Sequence, residues 1–101
     1  MNIFYLDSDS QKCAEYHCDK HVVKMILEYT QLLCTAHRVL HGVLMDKKYI
    51  MLDEEREFKL YKATHINHPC SIWTRSCYNS YIYVFNLLKF LHKEYEKRYN
   101  K

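Results

Sequence analysis

From His17 to Leu40 the chain reads HCDKHVVKMILEYTQLLCTAHRVL, with no Gly and no Pro. A breaker-free run of this length is too long for an ordinary strand, and its apolar residues recur at helical spacing. Val22, Ile26, Tyr29, Leu33, Ala36 and Leu40 step by three and four, which predicts an amphipathic helix running to about His41. Its polar side is narrow. At about 100° per residue, His17, His21, Lys24, Glu28, Gln31 and Thr35 fall within roughly 80° of arc. Met25 and Leu32 flank this stripe on one side and Leu27 lies toward the other. His, Lys, Glu and Gln are residues that exchange protons or hold anions, so the stripe reads as the wall of a site. The plainer alternative is a solvated seam, because charges at i, i+3 and i+4 also stabilise a helix that has no function.

The remaining elements are shorter. Met1 to Leu6 (MNIFYL) is an apolar opening that reads as a strand or an extended segment against the core, and Asp7-Ser-Asp-Ser10 supplies helix N-caps before residues 11–16, which read as a short helix or as the first turns of the long one. Gly42, the only glycine, stands where the long helix should end. Positions 43–52 read either as a loop or as a hairpin turning through Asp46-Lys47-Lys48. A weak helix is expected over 53–61, with Phe58 and Tyr61 on one face. Pro69 suits the first position of a further helix. From Ser71 to Tyr99 no breaker intervenes, which predicts a second long helix, bent near Asn79-Ser80, with Arg75 and Asn79 on one side and a solvated, charged end. The expected fold is all-α: one domain of two long helices, short helices and an extended N-terminus, whose two polar stripes could face each other.

Composition excludes several classes. With 101 residues the chain makes one small domain and has no room for a deep cleft between two domains. A net charge of +3 permits nucleic-acid binding without demanding it. The five cysteines are odd in number and follow no disulfide framework, and no signal peptide is visible, so reduced thiols in the cytoplasm are expected. No apolar run reaches the length of a membrane span.

Four constellations could carry chemistry. Glu28 with Lys24 and His21 could form a positioned acid or base, or stabilise a cationic intermediate. His17 and His21 stand i, i+4 and could share a metal ion, with Cys18, His65, His68 and Cys70 as further ligands; this describes a His/Cys metal-dependent nuclease. Cys70, two residues after His68 and near a helix start, could be a nucleophile. Lys20, Lys24, His68 and Arg75, together with Trp73 and the tyrosines, mix cations with aromatic rings, as phosphate contact and base stacking require. A non-catalytic module binding nucleic acid or protein through the same surface is the third alternative.

These residues also carry a resemblance. KHVVKMILEYTQLL in a long helix, NHPCSIWTR opening the last one and the ending KEYEKRY look like the pyrimidine-dimer DNA glycosylase family, the phage endonuclease V type. The matching features are His21, Glu28 and Gln31, then His68, Pro69, Trp73 and Arg75, then Glu94, Tyr95, Arg98 and Tyr99. The resemblance implies a compact all-α, cofactor-free enzyme acting on DNA in the host cytoplasm. Its N-terminal amine attacks the anomeric carbon of a damaged pyrimidine nucleotide, forms a Schiff base and cuts the strand by β-elimination. Carried onto this chain, the amine is that of Met1 and the essential glutamate is Glu28. His21, Lys24, Gln31, His68, Trp73, Arg75 and Asn79 would contact DNA. Asn2 is too large for efficient removal of the initiator, so Met1 itself would supply the amine, whose ordinary pKa of about 7.7–8.0 leaves a usable neutral fraction.

Overall fold

The computed structural model describes residues 2–100. The expected amine at Met1 lies outside the described residues. Asn2 to Leu6 forms neither helix nor strand, and the Leu6 amide donates back to the Phe4 carbonyl. The elements that follow are α1 (Ser10–Glu15), α2 (Asp19–His41), the strands β1 (Val43–Met45) and β2 (Lys48–Ile50), α3 (Glu54–Lys59), α4 (Pro69–Ser76) and α5 (Tyr78–Tyr99). The fold is mainly α, with two long helices, as the periodicity predicts. Val22, Met25, Tyr29, Leu32 and Leu33 of α2 bury against Val84, Leu87 and Leu91 of α5, and Cys13 and Ala14 of α1 close one end of this core. No helix among the described residues is long and apolar enough to cross a membrane.

The long helix begins two residues later than its pattern suggests. Cys18 is its N-cap, with extended backbone. His17 instead closes α1: its amide donates to the carbonyl of Ala14, and its Nδ1 lies 2.7 Å from the carbonyl oxygen of Cys13. His17 therefore does not share a helical face with His21. At the other end Gly42 is required by close approach. A Cβ there would stand 2.5 Å from the Arg38 carbonyl oxygen and 2.9 Å from that of Ile50.

Positions 43–50 settle as the hairpin. Its strands are antiparallel, with Val43 opposite Ile50 and Met45 opposite Lys48. Asp46 and Lys47 both have positive φ, 49° and 64°, the backbone of a tight two-residue turn whose twist matches the strands. Asp53 caps α3 by accepting from the Glu55 amide. That helix buries no residue and ends at Lys59, so Tyr61 does not share a helical face with Phe58, which is 92% exposed.

Arg38 holds this arm in place. It is 1% exposed, and its guanidinium donates to the carbonyl oxygens of Tyr49, Glu57, Leu60 and Tyr61 and to the carboxylate of Glu57. The same carboxylate accepts from the Met51 amide, and both interactions hold Glu57 below the usual carboxylate range, the arginine bond first. One residue thus satisfies backbone from β2, α3 and the segment after it.

The second long helix is broken. Cys77 has φ −160° and ψ 166°, which ends α4 and opens α5. The break falls two residues before the expected bend and places Arg75 and Asn79 on different helices. The hydroxyl of Ser76 donates back to the Trp73 carbonyl and so takes up backbone polarity there, and Cys77 Sγ lies 3.3 Å from the Ser80 hydroxyl. The charged end of α5 is not fully solvated either. Arg98 reaches across to the carbonyls of His17 (2.7 Å) and Glu15 (2.9 Å) and to Asp19 (3.1 Å), while Glu94 receives its Nε at 3.0 Å. It clamps the joint between α1 and α2.

Candidate functional site

The N-terminal segment is built into the molecule. Phe4 turns toward α2, where its ring stacks on His21 with centroids 4.4 Å apart. Ile3 and Tyr5 turn toward α4 and, with Pro69, Cys70 and Trp73, line a shallow cleft of about 570 Å3. Backbone atoms anchor the segment at two points. The Leu6 amide meets Cys13 Sγ, whose thiol donates to the Phe4 carbonyl at 3.0 Å. The Phe4 amide donates to the Tyr29 hydroxyl at 3.2 Å.

That hydroxyl also lies 2.8 Å from Nε2 of His17. The directions of the proton donors follow from chemistry. The Cys13 carbonyl can only accept, so His17 Nδ1 carries the proton and Nε2 accepts from Tyr29, which in turn accepts from Phe4. His17 is neutral in this arrangement, and burial, the largest influence, lowers its pKa. Burial also raises that of Tyr29. The His17–Tyr29 pair is buried structure rather than part of a solvated stripe.

The expected site residues divide into three groups. His21 and Glu28 are half-buried and Lys24 is exposed, and helical spacing puts the three on one face of α2, which Phe4 meets at His21. Two turns separate His21 from Glu28, about 10.5 Å along the axis. Gln31 is half-buried. Next along the stripe, Thr35 is buried because its hydroxyl exchanges hydrogen bonds with the backbone of Thr64. The segment after α3 therefore covers the Thr35 end of the stripe, while Phe4 covers His21 at the other.

His68 and Trp73 belong to the other wall. His68 caps α4, its Nδ1 accepting from the Cys70 amide at 3.1 Å, so its ring shapes the fold. Trp73 is 38% exposed and meets Tyr83 edge-on at 6.1 Å, and Tyr5, 57% exposed, stacks on the same Tyr83 at 4.9 Å. Tyr83 is fixed by donating to the Asp7 carbonyl at 2.7 Å. Tyr5, Trp73 and Tyr83 form an aromatic platform beside the N-terminal segment. The sequence pattern named Trp73 by position and the tyrosines only as a group, because Tyr5 and Tyr83 come from segments more than seventy residues apart.

The third group lies elsewhere. Arg75 lines a separate cleft with His37 and His41 of α2, and Asn79 is exposed in the first turn of α5. Counting 100° per residue, His37 projects from α2 about 180° away from Glu28. The two polar stripes do not face each other. The metal reading also fails to assemble: both ring nitrogens of His17 and Nδ1 of His68 are engaged, and no group of three His, Cys, Asp or Glu among the described residues could hold an ion. Cys70 packs against the core beside a His68 ring already committed to capping. All five cysteines are free thiols.

Comparison with known protein-family models, with curated proteins and with solved structures gives no match.

Proposed function

We propose that the protein is a small DNA glycosylase/AP lyase acting on damaged or modified pyrimidines, with the Met1 α-amine as nucleophile and Glu28 as its carboxylate. The observation that carries this reading is the anchoring of the N-terminal segment. Phe4 is fixed to Tyr29 and His21 on α2, and residue 1 lies only three residues further, at most about 11 Å of chain. An amine nucleophile needs such tethering, since a loose terminus would lose the advantage of orientation.

The amine attacks C1′ and the glycosidic bond breaks, the electron pair leaving with the base. The sugar opens to a protonated Schiff base on the amine. Removal of a C2′ proton then expels the 3′ phosphate, and water releases the amine. Glu28 stabilises the cationic sugar and takes the C2′ proton. His21 and Lys24 meet backbone phosphates, and Tyr5 and Trp73 stack on bases displaced from the duplex. Free thiols throughout suit a reducing cytoplasm.

The test is strand cleavage of duplexes carrying an abasic site or a pyrimidine dimer, in the presence of chelator. Cleavage by the native chain that falls at least a hundredfold in Glu28→Gln supports the reading. Equal cleavage by the variant, or none by either, refutes it.

A further inference from the structure

The cleft between the second half of α2 and the α4–α5 junction has a chemistry that the proposed reaction does not use. It encloses about 320 Å3 and is walled mainly by apolar surface from residues including Leu40, Tyr81 and Ile82. Its polar side chains are one arginine, two histidines, a thiol and two tyrosine hydroxyls. Arg75, His37 and His41 line it, and no Asp or Glu does. Nη1 of Arg75 is buried and has no hydrogen-bond partner. The guanidinium therefore lacks a full set of acceptors, and its solvent-facing side is open to an anion in the cleft. The Cys77 thiol lines the same cleft yet is not that partner.

The tyrosines define the rest of the occupant. The Tyr81 hydroxyl is 2.6 Å from Nε2 of His37 and the two rings meet edge-on, so that wall is rigid. Tyr78 at the mouth is 76% exposed. A flat body can lie against these rings while an oxyanion reaches the planar donor fork of Arg75.

We infer that this cleft is a second binding site, separate from the Glu28 face, for a small anion made of one phosphate group on a flat aromatic body, as in a nucleoside monophosphate. The phosphate pairs with Arg75 and the base lies against Tyr78 and Tyr81. The same group could arrive free or as the phosphorylated end of a nucleic acid.

The experiment is NMR titration of the full chain with thymidine monophosphate, thymidine, inorganic phosphate and a 5′-phosphorylated trinucleotide. Saturable binding of the monophosphate is expected, at least tenfold tighter than that of thymidine, with shifts centred on His37, His41, Tyr78 and Tyr81. Arg75→Gln should weaken it at least tenfold. Because Arg75 is partly buried, the exposed variant His41→Ala gives a second reading, with a severalfold loss expected. A trinucleotide that binds better than the monophosphate identifies a nucleic-acid end as the source; the reverse order identifies a free ligand. No saturable binding of either, equal affinity for thymidine, or shifts centred elsewhere would overturn the inference. The titration needs neither an abasic site nor turnover, so its failure is distinguishable from failure of the lyase reading.

Discussion

The Tyr29 hydroxyl donates to Nε2 of His17 across 2.8 Å while accepting from the Phe4 amide, so one buried oxygen joins α1, α2 and the N-terminal segment. Tyr29→Phe removes that oxygen and leaves an imidazole nitrogen and a backbone amide unpaired. The expected cost is about 1–3 kcal/mol of stability, read by urea denaturation. Faster hydrogen exchange at the Phe4 amide should accompany it. Lyase activity should fall by more than the lost stability explains, because the N-terminal segment loses its tether.

Stability should decline in mild acid. Burial lowers the pKa of both His17 and His37 in the folded state. The unfolded chain then binds more protons than the folded one as soon as pH drops below about 6.5. The histidine contribution is full above that value and is lost progressively as pH falls toward the folded-state values. Urea midpoints measured from pH 8 to pH 5 should decrease, and His17→Gln should flatten the dependence. A midpoint that rises in acid would contradict the neutral His17 assignment.

Arg38 organises an arm rather than the core. Arg38→Met should free the four carbonyls it holds and cost about 3 kcal/mol. Hydrogen exchange should accelerate over residues 43–64, while the α2–α5 core stays protected. Uniform acceleration across the chain would show that the arm and core unfold together.

Gly42→Ala is expected to destabilise by about 1–3 kcal/mol, since the added methyl meets two backbone oxygens rather than flexible side chains. A thermal melt compared with that of an exposed substitution such as Lys47→Ala measures it.

Periodicity made the two long helices legible, because burial on one face imposes its spacing directly on the sequence. The Asp53 cap, Pro69 and the position of Gly42 were legible for the same local reason. The break at Cys77 was not: neither Gly nor Pro marks it, and Ser76 takes up backbone polarity there. Arg38 and Arg98 look like solvated cations in sequence, and only distant carbonyls make them structural. His17 fits the stripe by arithmetic yet closes the preceding helix, an outcome set by its bonds to Cys13 and Tyr29. The site was legible in part: His21 and Glu28 share a face, whereas Arg75 belongs to another cleft, and Tyr5 and Tyr83 join Trp73 only through long-range packing.

The most direct measurement of the central claim is borohydride trapping on DNA carrying an abasic site, with the protein's N-terminus verified by mass. A Schiff base reduced in place becomes a stable amine, and peptide mapping then locates it. The expected result is a covalent adduct on the α-amine of Met1 that disappears after N-terminal acetylation. No adduct, or an adduct on a lysine that survives acetylation of the terminus, would contradict the account.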